Sequence, residues 1–166
     1  MKVAIRELRL SDLNDFRACI NDKEVVKRLD DDGIKHPFTL AAARKYITKS
    51  LKNKDTHEFA ILIDGKFAGT VVLENPAPGK KTYELGYVVC KKLWGKGIAT
   101  KAVRLMIDYG FKKMKINKIW AGGLSNNPAS KRILEKCGFK LEGRLRKHTY
   151  KNKKYYDDHI YGLLRR

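Results

Sequence analysis

A chain that runs from a β-type segment through two neighbouring glycines into a helical segment has few folds open to it. Residues 83–109 do this: Tyr-Glu-Leu-Gly-Tyr-Val-Val-Cys-Lys-Lys-Leu-Trp-Gly-Lys-Gly-Ile-Ala-Thr-Lys-Ala-Val-Arg-Leu-Met-Ile-Asp-Tyr. Tyr83 to Val89 is β-branched and aromatic around one glycine, which predicts a strand. Ile98, Ala102, Leu105, Met106 and Tyr109 recur at helical spacing. Between the two, Gly95 and Gly97 allow a tight turn and close approach of a ligand, and the helix that follows turns its unpaired N–H groups toward that loop. The geometry suits an anion such as a pyrophosphate. The alternative reading is structural, since helix starts use glycine for their own sake. A dinucleotide fingerprint would need a third glycine, and a P-loop would need Gly-Lys-Ser/Thr; neither is present.

The rest of the composition narrows the setting. A chain of 166 residues can bury one proper core, and no Pro/Ser-rich linker divides it, so residues 1–166 are expected to form a single domain. Charged residues begin at Lys2 and Arg6, and nowhere do about 18 apolar residues run together, so the chain is expected to be soluble and cytoplasmic, with no membrane partner. Cys19, Cys90 and Cys137 are too few and too scattered for a disulfide framework or a zinc site, and are expected as free thiols with no bound metal. The net charge of +19 is uneven: residues 1–80 carry 15 basic and 12 acidic side chains, residues 81–166 carry 22 and 6. Four lysines and no acid between Lys91 and Lys101 suit a polyanionic ligand. A solvated lysine-rich surface, or a nucleic-acid or ribosome-binding surface, accounts for the same excess.

In chain order, Val3 to Leu10 reads as a strand, and Ser11 as the cap of a helix from about Asp12 to Asn21. Asp30-Asp31-Asp32-Gly33 reads as an exposed turn. Thr39 caps a helix over Leu40 to Leu51. Asp64-Gly65 joins His57–Ile63 to Lys66–Glu74 as a type I′ hairpin. After Asn75-Pro-Ala-Pro-Gly-Lys the Tyr83 strand pairs back, and Lys118 to Gly122 is a short strand beyond the central helix. Asn127-Pro128 starts a helix whose Ser130, Ile133, Leu134 and Cys137 share a face, and Gly138 ends it. Phe139–Tyr150 and Tyr155–Leu164 form a last hairpin around Lys151-Asn152-Lys153.

Lys92-Leu-Trp-Gly95-Lys-Gly97 resembles the Gln/Arg-x-x-Gly-x-Gly/Ala signature of the GNAT acetyltransferase superfamily, with Lys92 where Gln or Arg is usual. The element order β-α-α-β-β-β-α-β-α-β-β is similar to the GNAT fold over essentially the whole chain. That implies an α/β (α+β) fold with a mixed central sheet of about seven strands and about four helices. Asn127-Pro-Ala-Ser130-Lys-Arg-Ile-Leu-Glu-Lys-Cys-Gly138-Phe139, then Glu142-Gly143 and Asp157 to Leu163, resemble the branch containing the ribosomal-protein N-terminal acetyltransferases.

The resemblance implies transfer of acetyl from acetyl-CoA to an amine by direct attack. In such a site Val88, Val89 and Cys90 hold the pantetheine through their main chain, and a backbone N–H near Val89 faces the oxyanion. Lys92, Gly95, Lys96, Gly97, Ile98, Ala99 and Thr100 receive the pyrophosphate. Ser130 is the expected acid for the leaving thiolate, or a small residue supporting its helix cap. Asn127 bonds the pantetheine or caps its helix. Glu84, on a strand face with Gly86 and Val88, relays the amine's proton through water or is a structural acid. Polyamine-acetylating relatives carry an acid tyrosine at the position of Leu134, which cannot donate. No His-rich motif accompanies Cys90, which disfavours a covalent cysteine route. The expected acceptor is a protein N-terminal α-amine, with ribosome association and a monomer or homodimer as partner states. A small amine such as a polyamine or aminoglycoside, and a non-catalytic RNA- or ribosome-binding module, are the competing readings.

Overall fold

Seven strands form one mixed sheet in the order β1-β2-β3-β4-β5-β7-β6, and only the β4–β5 pair is parallel. The computed structural model describes residues 1–29, 36–151 and 153–165. The acidic turn at 30–33 and residue 152 of the last hairpin lie outside the described residues. The elements are β1 (Val3–Glu7), α1 (Leu13–Ile20), α2 (Lys23–Val26), α3 (Leu40–Lys52), β2 (His57–Ile63), β3 (Lys66–Glu74), β4 (Thr82–Val89), α4 (Ile98–Asp108), β5 (Lys118–Leu124), α5 (Pro128–Lys136), β6 (Lys140–Lys151) and β7 (Lys154–Leu164). The fold class and strand count match expectation; the described helices are five rather than four. The extra one, α2, is a single turn, too short to leave a periodic signature, and is capped by Asp22, whose carboxylate accepts the Glu24 N–H.

Several local rules act as the residues dictate. Asp64 and Gly65 both take positive φ at the β2–β3 turn. Thr39 Oγ1 accepts the Ala42 N–H at 3.1 Å and starts α3. Ser11 does not cap α1. It sits in a short 3-10 turn, and the neighbouring Asp12, buried at 5% exposure, anchors the entry instead. Its carboxylate accepts both Arg6 guanidinium N–H groups at 2.6 and 2.8 Å and the Arg9 N–H at 2.9 Å. Burial pushes the Asp12 carboxyl up, but Arg6 and the Arg9 amide hold it below its ordinary value.

Apolar side chains pack on both faces of the sheet. Phe59, Ile61, Val71, Leu73, Leu85 and Val89 meet Ile98, Ala102, Val103 and Met106 of α4 and Leu134 of α5. On the other face Ala60 meets Leu13, Phe16 and Ile20 of α1 and Ala43 and Ile47 of α3. Alternate residues of a strand point to opposite faces, so β4 sends Leu85 and Val89 to one core and Gly86 and Val88 to the other.

The free-thiol expectation is corrected. Cys19 at the end of α1 and Cys90 just after β4 form a disulfide, with Cα atoms 4.9 Å apart, while Cys137 is free and half-buried. The two partners stand 71 residues apart, and only the packing of α1 on the sheet brings them together. Among the described residues no helix is long and apolar enough to cross a membrane.

Gly69 fixes how closely β3 approaches β4. Its φ is +149°, and a Cβ there would stand 2.0 Å from the Val88 carbonyl oxygen. Gly69→Ala is therefore expected to cost about 2–4 kcal/mol in urea unfolding, because backbone rather than a flexible side chain must give way.

Candidate active site

The parallel pair β4 and β5 is in register only at Thr82–Lys118, Tyr83–Ile119 and Glu84–Trp120. Beyond Glu84 the strands part, and Gly86, Tyr87, Val88 and Val89 face Gly122, Gly123 and Leu124 across a cavity of about 640 Å³. Which main-chain groups face the gap follows from β3. The Cys90 N–H donates to the Ala68 carbonyl at 2.9 Å, and bonding alternates along an antiparallel pair, so Val88 also bonds toward β3, opposite Thr70. Tyr87 and Val89 turn their main chain toward the gap. The Val89 carbonyl already accepts the Trp94 indole N–H at 2.6 Å.

This corrects two expected contacts. Cys90 uses its N–H on Ala68, its carbonyl accepts the Leu93 N–H, and its side chain is in the disulfide, so neither its N–H nor a thiol is free for a ligand. The Val88 main chain belongs to the sheet, although its side chain lines the cavity.

At the end of β4 the chain turns through Lys91–Leu93 into Gly95 and Gly97, with φ of +75° and +72°. Space is open around both, with no atom within 4 Å of a built Cβ. Gly97 caps α4 without a side chain, and the first helical bond is Lys101 N–H to the Gly97 carbonyl. The N–H groups of Ile98, Ala99 and Thr100 thus precede the helical ladder, and all three residues line the cavity with Gly95 and Gly97. This is a cradle for a phosphate group. Lys92 and Lys96 are exposed and do not line the cavity; the basic residues that do are Arg28, Arg132 and Lys136.

Asn127 resolves in favour of the cap: its side-chain oxygen accepts the Ser130 N–H at 3.2 Å, which leaves its NH2 group for a ligand. Ser130 Oγ lies 3.9 Å from where a Gly123 side chain would begin and 2.8 Å from the Tyr87 hydroxyl. The serine therefore spans the parting of the strands. Burial pushes the Tyr87 phenol up to about 12 against the opposing effect of the Ser130 bond, so it stays protonated. A Tyr87 O–H that donates to Ser130 Oγ leaves the serine hydrogen free for a third atom.

The opposite sheet face carries acids. Glu84 accepts the Asn75 side-chain N–H at 2.9 Å, and across the β3–β4 pair it stands beside Glu74. A Cβ on Gly86 would lie 3.9 Å from Glu74 Oε1, which places that carboxylate over the missing side chain. Glu58 on β2 is 6% exposed and bonded to Ser50 at 2.6 Å. Glu58, Glu74, Tyr87, Trp94 and Arg28, which stacks 4.0 Å over the Trp94 ring, are cavity residues that sequence reading passed over. An alternating Glu58-x-Ala60 on a strand was the available signal for the first. Among the described residues no cluster of His, Cys, Asp and Glu could hold a metal ion. The cradle, the gap and the hydroxyl pair fit a long, phosphate-bearing thioester.

Residues 2–140 match the model of the acetyltransferase (GNAT) domain. The chain is 37% identical over 133 residues to the probable N-acetyltransferase YjcK of Bacillus subtilis, covering 76% of this chain and 74% of that one. It is 34% identical over 109 residues to YdaF of the same organism, provisionally named a ribosomal N-acetyltransferase, covering 66% and 60%. Spermidine N(1)-acetyltransferase of Escherichia coli K12 is 29% identical over 107 residues, 64% of this chain and 58% of that one. A solved GNAT-family acetyltransferase from Bacillus anthracis superimposes with a TM-score of 0.86 at 26% identity, covering 99% and 95% of the two chains.

Two outcomes are expected. Gly97→Val keeps the fold, at a cost of about 1–2 kcal/mol for a side chain at positive φ, and loses the thermal shift given by coenzyme A. A shift equal to that of the parent would overturn the cradle. Glu58 gives the second. Its carboxyl is pushed by burial up to about 7 from 4.5, so the folded state holds its proton more tightly than the unfolded state. Its contribution is complete below about pH 4.5 and is lost as pH rises through 7, by up to about 3 kcal/mol. Urea midpoints followed from pH 4.5 to 8 should fall in the parent and stay flatter in Glu58→Gln.

Proposed function

The chain belongs to the acetyltransferase (GNAT) family and is an acetyl-CoA-dependent N-acetyltransferase, and on that premise we propose that its acceptor is the α-amino group of a protein N-terminus, such as that of a ribosomal protein. Residues 1–166 act in this reading as one catalytic domain. The observation that carries it is the identity of the hydroxyl group at the strand parting. Leu134, at the position where polyamine-acetylating relatives carry an acid tyrosine, is 1% exposed in the apolar core, and the cavity offers Ser130 backed by Tyr87 instead. The provisional name of YdaF points the same way.

Acetyl-CoA, when bound, supplies the activated acetyl group. The N–H groups at the start of α4 hold its pyrophosphate, and the Tyr87 and Val89 main chain and the Asn127 amide line the path of the pantetheine. Ser130 gives its proton to the departing sulfur, and Tyr87 holds the serine oxygen so that its hydrogen points into the gap. Glu74 and Glu84 attract and orient the cationic amine. Deprotonating an α-amine at pH 7 costs about 1.4 kcal/mol, against nearly 5 for a lysine or polyamine amine, taking pKa values of roughly 8 and 10.4. The basic excess of residues 81–166 suits docking on a ribosome.

The acid-lined cavity favours a polyamine as the second reading, in keeping with the spermidine-acetylating relative. Matched peptides with free or blocked N-termini and one internal lysine, with spermidine alongside, separate the two. Transfer is expected to the free terminus only. Equal transfer to the blocked peptide, or to spermidine alone, would refute the peptide reading. Ser130→Ala is expected to lower kcat roughly 10² to 10⁴-fold with little change in KM for acetyl-CoA.

A further inference from the structure

Glu58 lines the cavity and has no task in the chemistry above. It points to the face of the sheet covered by α3, where Ser50 Oγ donates to one carboxylate oxygen at 2.6 Å and the Tyr46 hydroxyl to the other at 3.4 Å. From β3, Thr70 stands opposite Ala60 and so shares the sheet face of Glu58, where its hydroxyl draws the same carboxyl down. Thr70 is itself buried, lines the cavity, and stands opposite Val88 in register. The Thr70 hydroxyl therefore lies between the cofactor strand and the buried carboxylate. By contrast, the Glu84 carboxylate is tied to the exposed Asn75 side chain near the outer end of the pair.

We infer that Glu58, reached through the Thr70 hydroxyl, is the proton acceptor for the incoming ammonium group. The inference rests on direct attack by an amine on acetyl-CoA and not on which amine is used. The ammonium gives one proton to Thr70 Oγ as the Thr70 hydrogen passes to Glu58, and the nitrogen lone pair then forms the bond to the acetyl carbon. The carbon–sulfur bond breaks with its electron pair on sulfur, which takes the Ser130 proton. The second nitrogen proton balances that one, and the net product is one proton held by Glu58 and then released to solvent.

The surroundings suit the task. Burial pushes the Glu58 carboxyl up, the Ser50 hydroxyl draws it down, Glu74 pushes it up again, and Tyr46 and Thr70 draw it down; the balance is about 7. Transfer from an α-amine of pKa roughly 8 is then about tenfold uphill, against several thousandfold for an ordinary carboxylate. The other charged groups that share this cavity are Glu74 from β3, Glu84 from β4, Arg28 beyond α2, and Arg132 and Lys136 from α5.

The experiment is kcat/KM against pH from 5.5 to 9 for the parent, Glu58→Gln and Glu84→Gln, on the free-terminus peptide and on spermidine. Glutamate carboxyls are followed in parallel by ¹³C NMR, and coenzyme A thermal shifts report the cofactor side. The parent should rise through about pH 7. Glu58→Gln should lose that rise and fall roughly 10²-fold at pH 8, with its coenzyme A shift intact. Glu84→Gln should keep the rise. A carboxyl that titrates near pH 7 should vanish from the spectrum of Glu58→Gln alone. The inference is overturned if Glu58→Gln keeps the rise, if Glu84→Gln abolishes it, or if no carboxyl titrates near 7. A preference for spermidine overturns the peptide reading alone, because the profile is read on both amines.

Discussion

The separation of β4 from β5 after three paired residues is the constraint on which the remaining features depend. Parallel strands that part leave main-chain donors and acceptors facing a gap, and a buried unpaired group costs about 1–3 kcal/mol. The chain relieves this in one place, where the Trp94 indole takes the Val89 carbonyl. Elsewhere it leaves the demand for a ligand with amides of its own. The same parting lets α5 bring Ser130 between Tyr87 and Gly123, and places the start of α4 at the open end. A β5 paired along its whole length would remove cradle, path and hydroxyl together.

Charge is sorted across this opening. Arg132 and Lys136 come from α5 on one face of the sheet, and Glu58, Glu74 and Glu84 lie on the other. One cavity thereby offers cations suited to a phosphorylated cofactor and carboxylates suited to an amine. The Arg6–Asp12 pair has a humbler part: it fixes the exit of β1 to the entry of α1, the helix that roofs the acid-lined side.

What could be read from the sequence was local. Asp64-Gly65, Thr39, Asn127-Pro128 and the glycines at 95 and 97 specify backbone geometry within a few residues, and each adopts the conformation its chemistry demands. The hidden features depend on which distant elements pack together. Cys19 meets Cys90, Glu58 meets Ser50, and Tyr87 meets Ser130 only after helices settle on the sheet. Lys92 and Lys96 were expected at the cavity because positive charge near a phosphate loop is the obvious pattern, yet backbone N–H groups fill that wall and the lysines face solvent. Cys90 turns its N–H to Ala68, as strand alternation dictates one residue past Val89.

Alternation along β4 has another consequence. Tyr87 projects toward α5 and Ser130, while Gly86 and Val88 project toward the side of Thr70 and Glu58. In the proposed mechanism the hydrogen-bonded backbone of a single strand, which carries no mobile proton, therefore separates the donor of a proton from the group that takes one. The strand works as an electrical insulator between two terminals. Acid and base held in one open pocket would simply neutralise one another; on the roles proposed for Ser130 and Glu58, held on either side of β4, they meet only through the reacting substrate, and the proton circuit closes only during turnover.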